Sequence, residues 1–390
     1  MSLRKSRVLI SLCAFGGFLL IVIARGWNGL DQIPSDPGYD YIGERVQLGI
    51  SVVEVEPYLY AEQSTLASLA SLLPLEHRGL FLTLASHSIW ALCALVIFRE
   101  LLRHGLGAVV SVIGGLLLVT TPWAAQSAIG NYGNVRWPIL VAAGVIFAAE
   151  ISSKRPRAMS LLLAAVVATL SNPLHPLLIV PLLFGVVTLA AEHRRALAFG
   201  AVPLGVGLTL NLVNAGASGH SEKISSFWDD AGLFWVSGQI LPISLAAAGL
   251  VLAARNIRRW NQRQLLAVNL FVLVVLIVAA SYQLGGIADR YFVTPASLAA
   301  IGVMVGLADF RSRSVVIANV LSIVLAVILL VPTVRWFFIF PYLRSADGWS
   351  SQVERGREQC ATEGTAAVEL ITSNGSSRTD PIPCDELLQQ

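Results

Sequence analysis

Charged residues are scarce in this chain: 13% of its 390 residues are Asp, Glu, Lys or Arg, while 55% are apolar. A soluble globular domain carries about 25% charged residues. The mean hydropathy of +0.69 agrees with this imbalance. The composition therefore excludes an ordinary soluble protein and predicts a chain that lies mostly in lipid or against other apolar helices. The net charge of +3 is small and gives no reason to expect nucleic acid as a partner.

The sequence also lacks several motifs that carry well-known chemistry. It has no Walker loop, no GxSxG or HExxH segment and no Cys/His set with zinc-ligand spacing. The few charges near the apolar runs cluster at the predicted outer ends of those runs. Proton- or ion-coupled transporters usually carry ionisable groups near the bilayer centre. This distribution argues against coupled transport, although it does not argue against flipping of a lipid-linked substrate.

Cysteines are few, and they fall into two pairs. Cys13 and Cys93 lie in apolar runs and are expected to be small core residues. Cys360 and Cys384 lie in the polar C-terminal tail. If that tail is outside the cell, the oxidising environment favours a disulfide between them, and the alternative is two free thiols.

Eleven apolar runs predict about eleven membrane spans in an all-α integral membrane protein, because a spanning helix needs about 20 apolar residues. The first run, 8–24, follows three basic residues and has no small-residue cleavage pattern after it, so it is expected to be a retained span rather than a signal peptide. The runs lie at residues 8–24, 79–98, 105–121, 137–150, 158–171, 175–191, 197–213, 233–254, 265–282, 291–308 and 315–334.

The basic residues predict the orientation, since cytoplasmic loops carry an excess of Lys and Arg. With the N-terminus inside, the inner connections hold 16 Lys and Arg and 4 acidic residues, whereas the outer side holds 11 basic and 20 acidic residues. This predicts a multi-pass protein of the cell membrane with a cytoplasmic N-terminus and an extracytoplasmic C-terminus. The transmembrane domain would cover 1–341, with a first outer loop at about 26–78, and the tail would cover 342–390.

The first outer loop carries spaced carboxylates directly after the first span. Asp31, Asp36, Asp40 and Glu44 fall within fourteen residues, and Asp36-Pro-Gly is a turn signal. Carboxylates at the membrane face can bind a divalent cation such as Mg²⁺ or Mn²⁺ through oxygen, or act as a general base toward a hydroxyl. The alternative is a solvated acidic loop. Further along this loop, residues 66–75 are expected to form an interfacial helix.

Polar side chains also mark the predicted outer ends of later spans. Arg136 follows Asn131 and Asn134 and precedes Trp137, so it could hold a phosphate or could serve as an interface anchor. His175 follows a Pro-broken connection and could face a cavity, although a lone His is more often simply hydrogen-bonded.

A second basic residue opens the predicted tenth span. Arg290 lies between Asp289 and Tyr291, where it could bind a phosphate or form a salt bridge with its neighbour.

These features together resemble the polytopic glycosyltransferases of the C superfamily (GT-C). The resemblance rests on the inside N-terminus, about eleven spans and an acidic first outer loop. It also rests on the stretch from Asn131 through Asn134 to Trp137, on Arg290-Tyr291-Phe292 with Pro295, and on a short outer cap. That cap contains Trp349, Gln352, Cys360 and Cys384.

The resemblance implies inverting transfer of a sugar from a polyprenyl-phosphate donor to a glycan or lipid acceptor in cell-envelope assembly. By position, Asp36 or Asp40 would be the base, with Asp31 as a third choice. Arg136 and Arg290 would hold the donor phosphate. The substrate cavity would include Asn131, Asn134, His175 and Tyr291. A divalent cation, if the reaction uses one, would bind Asp36 and Asp40.

The chain departs from the family pattern in two respects. Its loop acids are spaced rather than adjacent, and its tail is shorter than fifty residues, too short for a large acceptor-binding domain. Two rival functions stay open: a flippase or transporter of lipid-linked glycans, and a non-catalytic scaffold of envelope synthesis.

Overall fold

The structure is a computed structural model, and it describes residues 3–27, 30, 61–121, 129, 132–218, 249, 261–283, 293–310, 316, 320, 334, 347–363, 365–370 and 381–389. These residues are mostly helical. The one pair of strands within them is short and antiparallel, with Ala367 opposite Pro383 and Val368 opposite Ile382.

Ten helices precede the tail in the described residues. They are α1 (Leu3–Gly26), α2 (Ala61–Ser71), α3 (Leu75–Arg103), α4 (Ala108–Val119), α5 (Arg136–Ser152), α6 (Ala158–Ser171), α7 (Ile179–Thr188), α8 (Arg195–Ser218), α9 (Gln262–Gln283) and α10 (Val293–Phe310). Short 3₁₀ helices at Tyr132–Asn134, His175–Leu178 and Ala191–His193 lead into α5, α7 and α8.

Within the described ranges, four helical segments are long and apolar enough to cross a membrane: Val8–Gly26, Leu75–Arg103, Arg195–Leu212 and Gln262–Ala280. Several further helices are apolar but shorter. The twelve residues of α4 rise only about 18 Å. The chain therefore has the architecture of a predominantly α-helical membrane protein. The predicted runs 233–254 and 315–334 fall almost wholly outside the described residues, so the count of eleven spans stays a prediction.

Helix α1 has one buried apolar face and one exposed apolar face. Phe18 and Val22 are buried against the bundle, whereas Leu12 and Leu20 are exposed. An exposed apolar face is expected on a helix that contacts lipid. Cys13 lies on the exposed side of α1, so its expected place in the core was wrong, while Cys93 is buried as expected.

Small residues allow close helix packing, which is typical of membrane bundles. A Cβ atom added to Gly115 of α4 would lie 2.4 Å from the ring of Phe18 in α1 and 2.9 Å from the carbonyl of Ala94 in α3. Three helices therefore meet at this glycine.

The predicted first outer loop contains a helix that the sequence only partly predicted. The helix expected at 66–75 begins and ends earlier, as α2, with Leu66 and Ala70 buried. It stops before Pro74, because the residue before a proline disfavours the helical conformation. Arg78 then donates to the carbonyl of Leu73 at 3.0 Å and to that of Ser71 at 3.4 Å, which fastens the turn between α2 and α3. The spanning helix α3 thus starts inside the predicted loop, at Leu75.

The polar tail folds into a small cap on the start of α3. It consists of α11 (Trp349–Thr362), β1 (Ala367–Val368), β2 (Ile382–Pro383) and α12 (Cys384–Gln389). A disulfide joins Cys360 to Cys384, the pair predicted to bond, with their Cα atoms 5.4 Å apart. Trp349 Nε1 donates to the carbonyl of Leu75 at 2.8 Å.

The bundle has two distinct ends. The tail end carries the cap and the starts of α3 and α5, and there Arg25 of α1 donates to the carbonyls of Val119 and Thr121. The opposite end brings predicted inner connections together, since Arg157 contacts Glu100 and Arg263 contacts Gly105. Three of the predicted inner connections, 99–104, 154–157 and the described residues 261–263 of 255–263, therefore lie at one end. Which end faces the cytoplasm stays a prediction.

Candidate functional site

Polar side chains from three separate parts of the chain are buried together at the tail end. We call this group the polar cluster; six of its members have relative exposures of 3% or less. Burying a polar group is costly unless the fold supplies partners, and ionisable groups among membrane helices commonly mark functional sites. The cluster comprises Glu62, Gln63, Asn134, Arg136, Ser171, Asn172 and His175.

Arg136 lies at the first position of α5 and is held from several directions. Its guanidinium carbon lies 5.2 Å from the ring centroid of Trp137, within the range of a cation–π contact. Its carbonyl accepts a hydrogen bond from Asn172 Nδ2 at 3.2 Å. Trp137 in turn donates from Nε1 to Asn134 Oδ1 at 3.3 Å, and its carbonyl accepts from Thr294 at 3.3 Å. The start of α5 is thus fixed against α6 and α10.

Glu62 brings a second ionisable group to the cluster. Both of its carboxyl oxygens are closed to solvent. Burial raises the pKa of Glu62 to about 8, and its own backbone N–H, the charge of Arg136 and the nearby Ser171 offset only part of that effect. The carboxyl is therefore mostly protonated at neutral pH, and it can donate a hydrogen bond.

Gln63, the next residue along α2, fixes the position of this helix. Its Nε2 donates to the carbonyl of Gly133 at 2.6 Å. This bond ties α2 to the 3₁₀ helix that precedes α5. It therefore sets where Glu62 lies relative to Arg136.

Asn172 and His175 form a compact turn after α6. Asn172 Oδ1 accepts from the backbone N–H of Leu174 at 2.9 Å, a local bond typical of turns that begin with Asn. His175 Nδ1 lies 2.8 Å from the Asn172 carbonyl. On the other side of the ring, a Cβ atom added to Gly207 of α8 would lie 2.5 Å from His175 Nε2. These contacts match the alternative of a hydrogen-bonded histidine better than that of a side chain facing an open cavity.

The structure brings three of the predicted site residues together, namely Asn134, Arg136 and His175. The predicted base and metal residues Asp31, Asp36 and Asp40 lie outside the described residues, as do Asn131, Arg290 and Tyr291. Within the part of the chain that the structure describes, no group of three or more His, Cys, Asp or Glu side chains is arranged to hold a metal ion.

Glu62, Gln63 and Ser171 were not predicted as site residues. A signal for Glu62 was present in the sequence, because Glu62, Leu66 and Ala70 follow at intervals of four and share one helix face. An acidic residue at the end of a buried apolar stripe is expected to enter the core with that stripe. Ser171 offered no comparable signal, since it lies at the end of an apolar run.

A second group of charges lies at the opposite end, where the buried carboxylates of Glu100 and Glu150 form ion pairs with two partly exposed arginines. Arg103 Nη1 lies 2.5 Å from Glu150 Oε1, and Arg157 Nη2 lies 2.5 Å from Glu100 Oε1 and 2.6 Å from Glu150 Oε1. Desolvation acts to lower the pKa of Arg157, but the two carboxylates outweigh it and raise that pKa. The charges balance one another, and the pairs join the ends of α3 and α5 to the following loop.

The chain matches no model of a known protein family and no curated protein sequence.

Proposed function

We propose that this protein is a membrane glycosyltransferase. It takes a sugar from a polyprenyl-phosphate donor and transfers it, with inversion, to a glycan or lipid acceptor of the cell envelope at the outer face. The proposal follows the GT-C resemblance of the sequence. The observation that supports it best is the shared burial of Arg136 and Glu62 in one polar cluster at the tail end of the bundle.

Arg136 has the chemistry that a lipid phosphate requires. A guanidinium presents paired N–H donors that match two oxygens of a phosphate, and it keeps its charge at any physiological pH. Its place at the end of α5, among apolar helices, suits a donor whose lipid lies between helices and whose head group lies at the membrane face. In the proposed reaction, Arg136 holds the leaving phosphate, with Arg290 as its predicted partner.

Glu62 contributes a different property. With a pKa of about 8, it stays mostly protonated at neutral pH and can donate a hydrogen bond to a phosphate oxygen beside Arg136. A protonated carboxyl is a poor base. The role of base therefore stays with the loop aspartates, with Asp36 or Asp40 favoured and Asp31 as the third choice.

The aspartate takes the proton of the acceptor hydroxyl, and the hydroxyl oxygen forms a bond to the anomeric carbon. The bond between that carbon and the phosphate oxygen breaks on the opposite face, so the configuration inverts. Polyprenyl phosphate leaves with the electron pair, and Arg136 stabilises its charge. If a divalent cation takes part, Asp36 and Asp40 would be its ligands.

A complementation experiment tests this proposal. The gene is deleted, the envelope glycans and lipid-linked sugars are profiled, and the native protein is restored beside Arg136→Gln, Asp36→Asn and Asp40→Asn versions. Arg155→Gln, an exposed arginine at the opposite end, is the matched control.

We expect the native and control proteins to restore a missing sugar. Arg136→Gln and one Asp→Asn version should leave that sugar missing and its polyprenyl-phosphate donor in excess. Full restoration by all three site variants at equal membrane abundance would overturn the proposal and favour a transport or scaffold function.

A further inference from the structure

A cavity of about 810 Å³ opens at the opposite end of the bundle, far along the helices from the polar cluster. It lies between the end of α5, the segment that follows α7 and the start of α9. Its volume is in the range of sites that bind small molecules or head groups, roughly 300–1,000 Å³. None of the polar-cluster residues lines it.

Basic side chains predominate among the charged groups around this cavity. Its walls include Lys154, Arg263, His104 and His193, and Asp309 is the one carboxylate among its lining residues. That carboxylate accepts hydrogen bonds from Asn261 Nδ2 at 2.6 Å and from Gln264 Nε2 at 3.0 Å.

Lys154 and Arg263 both have N–H groups that can donate to a ligand. Lys154 is exposed and forms no ion pair with any residue that the structure describes. Arg263 uses one Nη2 bond of 2.7 Å to the Gly105 carbonyl, which fixes its guanidinium beside the cavity. Such a set of donors is suited to a multivalent anion.

Apolar side chains line part of the cavity and part of the helix that leads to it. Ile151, Leu189 and Leu265 contribute to its walls. The last turns of α7 lead to Leu189, and on that helix Leu183 and Val187 are 60% and 82% exposed. A basic recess beside an exposed apolar helix face matches a molecule with an anionic head and apolar chains.

From these features we propose that the cavity binds the phosphate head group of an anionic membrane lipid, with its acyl chains along the exposed face of α7. Basic pockets between membrane helices are known to hold such head groups. By the predicted orientation, this lipid belongs to the cytoplasmic leaflet. The shared chemistry is a phosphate anion, and a soluble phosphate is the competing source.

Native mass spectrometry of the purified full chain in detergent tests the assignment. The protein is mixed with phosphatidylglycerol, with phosphatidylcholine, or with phosphatidylglycerol in the presence of millimolar inorganic phosphate. The variants are Lys154→Gln and the double change Lys154→Gln with Arg263→Gln. Arg155→Gln is the control, because it removes a neighbouring exposed charge that does not line the cavity.

We expect the native chain and Arg155→Gln to retain phosphatidylglycerol over phosphatidylcholine. Each lining cation should contribute roughly fivefold, so the double variant loses about 25-fold in phosphatidylglycerol affinity. Lys154→Gln keeps the Arg263 bond to Gly105, and it tests the site even if the double variant fails to fold. Equal binding of the two lipids, or equal losses in Lys154→Gln and Arg155→Gln, would contradict the proposal. If inorganic phosphate displaced the lipid, the lipid-site proposal would be wrong and the cavity would be a site for a soluble anion.

Discussion

Arg157 donates a hydrogen bond to each oxygen of the Glu150 carboxylate. The backbone N–H of Arg157 donates to Oε2 at 2.6 Å, and its Nε donates to Oε1 at 2.7 Å. Glu150 is fully buried near the end of α5. One residue thus supplies both a main-chain and a side-chain donor to the same buried group. The loop that follows α5 is therefore fastened to the helix that it leaves.

Replacing Arg157 by Gln should destabilise the protein, because Glu150 would remain buried with Arg103 as its one remaining cationic partner among the described residues. Arg157 is partly exposed, so the expected loss is only about 1–2 kcal/mol. Thermal unfolding in detergent measures it, with Arg155→Gln as the control. Adding Glu150→Gln to Arg157→Gln should recover part of the loss. No recovery in the double variant would show that the lost stability does not come from the unpaired carboxylate.

The buried carboxyl of Glu62 should make stability depend on pH. Its pKa is raised from 4.5 to about 8 in the folded protein, so the folded state binds the extra proton. The associated stability is fully present below pH 4.5, and it is lost as the pH rises through about 8. Unfolding temperatures measured from pH 5 to pH 9 should fall more for the native protein than for Glu62→Gln. The exposed change Glu354→Gln should follow the native curve, and identical curves for all three proteins would contradict the prediction.

The proposed role of Glu62 also predicts how donor binding depends on pH. A protonated Glu62 donates to the phosphate, whereas an ionised one repels it. Retention of the polyprenyl-phosphate sugar by the purified protein should therefore weaken as the pH rises through about 8. Glu62→Gln keeps a donor at every pH and should remove this dependence. If donor retention by Glu62→Gln showed the same pH profile as retention by the native protein, Glu62 would not contact the donor phosphate.

Two glycines of α8 offer a matched test of the packing behind His175. A Cβ atom on Gly207 would lie 2.3 Å from Thr169 Cγ2 and 2.5 Å from His175 Nε2, whereas one on Gly205 would meet nothing within 4 Å. Gly207→Ala should destabilise by about 1–3 kcal/mol through overpacking. Gly205→Ala should be neutral or slightly stabilising. Thermal unfolding of both proteins decides the matter, and equal behaviour would mean that His175 does not pack as described.

The predicted orientation can be tested with a membrane-impermeant thiol reagent. In a Cys13→Ala background, the exposed changes Glu354→Cys and Arg155→Cys place one thiol on the tail and one at the opposite end. We expect labelling of the tail position in intact cells and labelling of Arg155→Cys only after permeabilisation. The reverse pattern would place the tail in the cytoplasm and would remove the outer-face site.

The polar cluster was predicted in part. Asn134, Arg136 and Trp137 are close neighbours in the chain, and local spacing was enough to mark them as one group. Glu62 lies more than seventy residues away from Arg136, and no local pattern relates the two positions. The bond from Gln63 to Gly133 brings them together, and that bond exists only once α2 packs on the bundle.

By itself, the sequence determined the properties that follow from local composition and charge. Apolar runs become helices in lipid because their backbone groups must be satisfied within each segment, and the two tail cysteines form a disulfide in the cap. Which helix faces meet depends on the packing of the whole bundle. The tertiary structure left Cys13 exposed, buried Glu62 beside Arg136, and opened a basic cavity beside α7, because these outcomes depend on packing between segments distant in the chain.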